Sequence, residues 1–158
     1  MTLFGASGIL IGITSLAFGV LVFARNSESS LNRVWGLFGT SVAIWGFGAY
    51  AFSSAATPAD ALFWWRITHI GVIFIPVLFL HFVYIFLERR TDWVVYGTYA
   101  LGVLFLVADA TPYFIAEVRY LFDSLYYLAN PPPLYSFFFA CFLFATAYSH
   151  FLLYRGYA

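Results

Sequence analysis

Five long apolar stretches, separated by short polar segments, dominate the hydrophobic pattern of the chain. Apolar residues within each stretch are continuous, and most stretches approach the ~20 residues that a membrane-spanning helix needs. A transmembrane strand would instead alternate over about 10 residues, and helices satisfy their own backbone hydrogen bonds in lipid. The pattern predicts one all-α membrane domain, residues 1–158, a polytopic transmembrane bundle with five spanning helices. The predicted helices cover approximately residues 3–24, 31–52, 61–87, 93–108 and 134–154.

The composition supports a membrane protein and excludes several other classes. Of the 158 residues, 63% are hydrophobic and 9% are charged, against about 45–50% and about 25% in soluble domains. So short a chain cannot bury that much apolar surface. It contains no lysine and its net charge is zero, so it offers no basic patch to nucleic acid. A cytosolic enzyme, a disordered chain and a nucleic-acid-binding protein are excluded, and the lipid bilayer is the expected partner.

The distribution of arginine predicts the orientation of the bundle. Most arginines lie in or beside the loops on one side, and an excess of basic residues marks the cytoplasmic side of a membrane protein. We therefore expect the N-terminus outside and the C-terminus in the cytoplasm. The arginines on the predicted cytoplasmic side are Arg25, Arg33, Arg89, Arg90 and Arg155.

The longest segment between helices, residues 109–133, is predicted to lie at the outer face. Its apolar residues recur at helical spacing opposite Glu117, Arg119 and Asp123, which favours a short amphipathic helix in the outer interface. An ordered cap over the bundle is the alternative, and the two stay open at this point. Three prolines, 131–133, end the segment and lead into the last helix, where a proline in the first turn costs no hydrogen bond.

Arg66 lies near the outer end of the third predicted helix, beside Trp65 and one turn from His69. In one interpretation its side chain reaches the headgroups, with the neighbouring tryptophans as interface anchors. A sharper hypothesis pairs Arg66 with Glu117, Asp123 or an anionic ligand at the outer mouth, because charges near membrane depth often mark function. The candidate ligand-binding residues are Trp65, Arg66, His69, Glu117 and Asp123.

His81 and His150 are the candidates for binding a cofactor. Both are expected about 7–10 Å inside the cytoplasmic boundary at the helical rise per residue, and two histidines at one depth could ligate one haem or a chlorophyll-type pigment. In the other interpretation, these histidines are hydrogen-bonded within the bundle. The sequence has no nucleophile elbow, phosphate loop or metal-ligand spacing. We expect no enzymatic activity, no metal and, in the leading interpretation, no cofactor.

Several short segments have a distinctive order and spacing. They are residues 32–38 (NRVWGLF), 43–50 (AIWGFGAY), 64–71 (WWRITHIG), 74–76 (FIP), 79–82 (FLHF) and 133–135 (PLY). Together they resemble the N-terminal seven-transmembrane sensor region of bacterial histidine kinases and diguanylate cyclases. The resemblance implies a membrane-embedded input module of the bacterial cytoplasmic membrane, which is followed in such proteins by cytoplasmic signalling domains. It implies no particular ligand, so the small-molecule signal is unknown.

The chain departs from the family pattern because only five of the seven helices are present and no phosphoacceptor helix, ATP-binding domain or cyclase domain follows. We expect a fragment of a longer protein or a shortened relative that acts as a scaffold. The helix faces left open would be covered by other membrane subunits or a second copy. The leading interpretation is a non-catalytic sensor or receptor-like module. The alternative is an accessory subunit of a larger respiratory or photosynthetic membrane complex that contacts haem, pigment or lipid.

Overall fold

The computed structural model describes residues 2–121 and 125–157. These residues form five α-helices and one antiparallel two-stranded hairpin. The prediction of a helical bundle is confirmed. In chain order the elements are α1 (Leu3–Arg25), α2 (Ser30–Ser53), α3 (Pro58–Phe86), α4 (Trp93–Asp109), β1 (Glu117–Leu121), β2 (Leu125–Ala129) and α5 (Pro133–Tyr157).

Local capping determines where the helices begin. The side chains of Thr2, Ser29, Thr57 and Asp92 accept hydrogen bonds from backbone N–H groups in the first turns of α1 to α4. Each bond satisfies a donor that has no partner inside the helix. Pro58 lies in the first turn of α3, where its missing N–H costs nothing. The cap at Thr57 therefore starts α3 before the predicted residue 61.

Helix α3 is the centre of the bundle. α1 packs on α2, α2 packs on α3, and both α4 and α5 pack on α3. The hairpin lies against α3 through β1 and against α2 through β2. We call this end of the bundle the hairpin end and the other, where α1, α3 and α5 end, the arginine end. One apolar core surrounds Trp65 and Phe114 near the hairpin, and a second surrounds Leu80 and Tyr84 towards the arginine end.

Glycines bring α1 and α2 together backbone against backbone. A Cβ added at Gly46 would lie 2.6 Å from the backbone nitrogen of Gly12 and 2.7 Å from the carbonyl oxygen of Gly8. In lipid no hydrophobic force holds helices together, so association depends on this kind of close packing. The glycine seam, formed by Gly8, Gly12 and Gly46, therefore holds α1 to the rest of the bundle.

The outer surface of the bundle is apolar. The buried residues of α1 are all glycines, whereas Leu10, Phe18 and Leu21 are each more than 60% exposed. Such a surface suits lipid and is rare on soluble monomers. Within the described residues, α1, α3 and α5 are long and apolar enough to cross a membrane, while α4 is apolar but shorter and α2 is not among them. The five crossings and the orientation stay predictions.

The predicted interfacial helix in residues 109–133 is wrong, because part of this segment forms the β1–β2 hairpin. Val118 pairs with Leu128 across the two strands, and both side chains are buried. Phe114 and Ile115, which precede the hairpin, are fully buried in the core of the bundle. The hairpin is therefore an ordered cap over one end of the bundle, the alternative that the sequence left open. A segment of five residues is too short to show whether its apolar residues recur with the period of a strand or with that of a helix.

Candidate functional site

One turn of α3, just below the hairpin, makes polar contacts with three other parts of the chain. Trp65 bonds to β2, Arg66 bonds to the segment before β1, and His69 contacts α5. Asp109, the last residue of α4, lies close enough to Arg66 for electrostatic attraction. We call Arg66, His69, Asp109 and Tyr135 the hairpin-end cluster. It joins α3, α4 and α5 beneath the hairpin.

Trp65 is a core residue and does not anchor the protein in the membrane interface. It is only 6% exposed, and its indole Nε1–H donates to the carbonyl oxygen of Tyr126 at 3.1 Å. Its ring centroid lies 4.8 Å from that of Phe52 and 5.3 Å from that of His69. The interface-anchor interpretation therefore fails for Trp65. The residue instead fixes β2 of the hairpin to α2 and α3.

His69 is buried and has a partner on each ring nitrogen. Its Nδ1 lies 2.8 Å from the carbonyl oxygen of Trp65, which can only accept, so Nδ1 carries the proton. In the neutral ring Nε2 is then an acceptor, and the hydroxyl of Tyr135 donates to it at 3.2 Å. His69 thereby links the start of α5 to α3. The sequence singled out His69 but missed Tyr135, because nothing in α5 indicates which α3 residue it meets.

Arg66 does not bond to the predicted carboxylate of Glu117. Its Nη2 donates to the carbonyl oxygen of Ile115 at 3.3 Å. Glu117 instead accepts from Arg119 at 3.3 Å and from Asn130 at 3.4 Å, on the exposed side of the hairpin. The pairing of Arg66 with Glu117 was therefore wrong, and Asp123 lies outside the described residues. The Nε of Arg66 is buried and has no hydrogen-bond partner among residues 2–121 and 125–157.

Asp109 is the charged residue that sequence reasoning missed. It is 4% exposed, and within the described part of the chain its Oδ1 has no hydrogen-bond partner. A carboxylate at the end of a helix also faces the negative end of the helix dipole. The attraction of Arg66 offsets part of this unfavourable position. Asp109 and Arg66 therefore each have one buried polar atom that still needs a partner.

His81 and His150 contact different parts of the bundle. The Nδ1 of His81 lies 3.0 Å from the Tyr99 hydroxyl on α4, whereas the ring of His150 packs 5.2 Å from Phe79. Phe79 and His81 are two residues apart on α3, so they point about 200° apart around it. The two imidazoles therefore have different neighbours on α3 and α4. Among the described residues no group of histidine, cysteine and acidic side chains could hold a metal ion.

A bundle of long apolar helices, polar at its ends and apolar on its surface, defines an integral membrane protein. Residues 8–158 match the family model described as the N-terminal 7TM region of histidine kinase. The chain belongs to this family and is a sensor input region of that kind. Comparison with curated proteins finds no match, and neither does comparison with solved structures.

Proposed function

We propose that this chain is a non-catalytic sensor of a bacterial histidine kinase in the cytoplasmic membrane, and that its signal acts at the hairpin-end cluster. The observation that supports the site is the pair of buried atoms, Arg66 Nε and Asp109 Oδ1, that find no partner within the described residues. A buried polar group without a partner costs about 1–3 kcal/mol, and more when it is charged. Binding of a polar ligand, or a change of conformation that gives both atoms a partner, would therefore be favourable.

A polar ligand could form the hydrogen bonds that both unsatisfied atoms lack. A group that accepts from Arg66 and donates to Asp109 would stabilise the conformation that holds it. A ligand changes a conformational equilibrium only through its different affinity for the two states. Because Arg66 also bonds to Ile115, ahead of β1, a ligand here would act on the hairpin and on α3 together.

Helix α3 offers the route from this cluster to the arginine end. It begins at the hairpin end and continues to Phe86, and its C-terminal part is buried against α4 and α5. There Leu80 and Val83 pack with Val95 of α4 and Leu152 of α5. A shift or rotation of a packed helix is a common form of signal transmission. Movement of α3 would therefore reach the predicted cytoplasmic side.

A double-mutant cycle tests this proposal. The chain is expressed as the N-terminal region of a histidine kinase, and autophosphorylation is measured in membrane vesicles for Arg66→Gln, Asp109→Asn and the double variant. Each single change leaves one buried charge uncompensated, so basal activity should change by about fivefold or more. The double variant removes both charges and should lie closer to the wild type.

Arg119→Gln is the matched control, because it removes an exposed arginine from the same end of the bundle. It should leave basal activity unchanged. Equal membrane yields for all variants show that insertion is intact. Wild-type activity in both single variants, or strictly additive effects in the double variant, would refute a site at Arg66 and Asp109.

The family match favours a sensor over the alternative of an accessory subunit in a respiratory or photosynthetic complex. Lipid is the immediate partner of the apolar helix faces. Association with other membrane subunits or with a second copy stays a prediction, as does the alternative of haem or pigment at His81 and His150.

A further inference from the structure

A cavity lined by two arginines lies at the arginine end, away from the hairpin-end cluster. This cavity, of about 530 Å³, lies between the end of α3 and the last turns of α5. Its lining combines two arginines, Arg89 and Arg155, with Tyr148, Phe151 and Leu152. The cavity lining therefore combines positive charge with aromatic and aliphatic surface.

Both arginines are available to an anion. In the described part of the chain neither Arg89 nor Arg155 has an ion pair or a side-chain hydrogen bond. Their guanidinium carbons lie 5.6 Å and 5.9 Å from the ring centroids of Tyr84 and Phe151, respectively. Asp92, an acidic residue near Arg89, is already occupied, because it accepts bonds from Val94 N–H and the Tyr84 hydroxyl.

An apolar groove adjoins this cavity at Tyr148. It lies between α4 and α5, has a volume of about 600 Å³, and is lined by Gly97, Leu101, Phe144 and Tyr148, among others. Tyr148 lines both the groove and the arginine cavity. From Trp93 to Leu101 the groove follows α4 for about 12 Å at the rise of a helix. That depth corresponds to roughly one leaflet of the hydrocarbon core.

The two arginines are complementary to the headgroup of an anionic phospholipid, and the apolar groove beside them is complementary to its acyl chains. We infer that an anionic phospholipid binds with its phosphate between Arg89 and Arg155 and one acyl chain in the α4–α5 groove. Arginine binds phosphate oxygens through charge-assisted hydrogen bonds, and basic pockets between transmembrane helices recognise anionic headgroups. The site is independent of the signal proposed to act at the hairpin-end cluster.

Native mass spectrometry of the delipidated full chain in detergent tests this inference. The protein is titrated separately with phosphatidylglycerol, phosphatidylcholine and inorganic phosphate. One phosphatidylglycerol should bind more tightly than phosphatidylcholine, and inorganic phosphate should neither bind comparably nor compete. Arg89→Gln and Arg155→Gln should each weaken phosphatidylglycerol binding about tenfold, the size expected for losing a hydrogen bond to a charged group.

Two further variants separate this site from general attraction to lipid. Arg90→Gln removes the same charge from the same loop but does not line the cavity, so it should leave the affinity unchanged. Gly97→Leu places a side chain in the groove, where a Cβ meets nothing within 4 Å, and should block the acyl chain without disturbing the fold. Equal losses in all three arginine variants would overturn the inference. So would phosphate binding as tightly as the lipid, or full lipid binding by Gly97→Leu.

Discussion

The glycine seam between α1 and α2 leads to a sharp prediction for Gly46→Ala. The new Cβ would lie 2.6 Å from Gly12 nitrogen, 2.7 Å from Gly8 oxygen and 3.0 Å from Gly12 Cα. All three are backbone atoms, so no side-chain rotation relieves the contact. Ordinary contact begins at 3.4 Å, and α1 must therefore withdraw by about 0.8 Å.

The magnitude follows from two opposing effects. Overpacking a close interface costs about 1–3 kcal/mol, whereas replacing glycine by alanine inside a helix stabilises it by about 1 kcal/mol. We expect Gly46→Ala to lower the free energy of unfolding by a net value of up to about 2 kcal/mol. Gly97→Ala is the matched control, since its Cβ meets no atom within 4 Å, and it should be neutral or slightly stabilising.

Unfolding in mixed micelles, titrated with sodium dodecyl sulfate and followed by circular dichroism, measures this difference. Gly46→Ala should unfold at a lower detergent fraction than the wild type, and Gly97→Ala at the same fraction or a higher one. Equal midpoints for the two variants would refute the claim that backbone contact at Gly46 holds α1 to α2.

Three further predictions concern the contacts around the hairpin and the histidines. Tyr135→Phe leaves the buried Nε2 of His69 without a donor and should lower the free energy of unfolding by about 1–3 kcal/mol. Tyr113→Phe, at an exposed position, is the control and should leave it unchanged. Equal free energies of unfolding for the two variants would contradict the bond between Tyr135 and His69. Trp65→Phe removes the indole donor to the β2 carbonyl and should speed hydrogen–deuterium exchange in the hairpin, with Trp64→Phe as control; unchanged protection would argue against the bond. The purified chain, supplied with haem, should show no shifted Soret band, and a stoichiometric one would contradict the separation of the two histidine contacts.

The apolar runs of the sequence were enough to predict the helices but not the β-hairpin that forms the cap. Each run is long, and its lack of alternation is unambiguous. The hairpin was missed because Val118 and Leu128 face the core only after their strands pair. The strand conformation also explains why Glu117 pairs with Arg119. In a strand, residues two apart share a face, so these two side chains lie side by side.

Of the predicted site residues, only those on α3 belong to the buried contacts beneath the hairpin, because Glu117 lies at an exposed position with Arg119 and Asp123 lies outside the described residues. Trp65, Arg66 and His69 were recognisable because they interrupt an apolar helix within one turn. Their partners, Asp109 and Tyr135, lie on helices distant in the sequence. The register of α4 and α5 against α3 arises from tertiary packing, which no single helix encodes. In the sequence Asp109 marks only the end of an apolar run, whereas in the fold α4 places it near Arg66.

Single-cysteine labelling in intact cells tests most directly whether the hairpin end faces outwards and the arginine end faces the cytoplasm. Cys141, the one native cysteine, is first replaced by alanine, and Tyr120→Cys or Arg90→Cys is then introduced at an exposed position. A membrane-impermeant maleimide should label position 120 in intact cells and position 90 only after permeabilisation. Labelling of position 90 in intact cells, or of both positions from one side, would contradict a sensor that receives its signal outside and transmits it inwards.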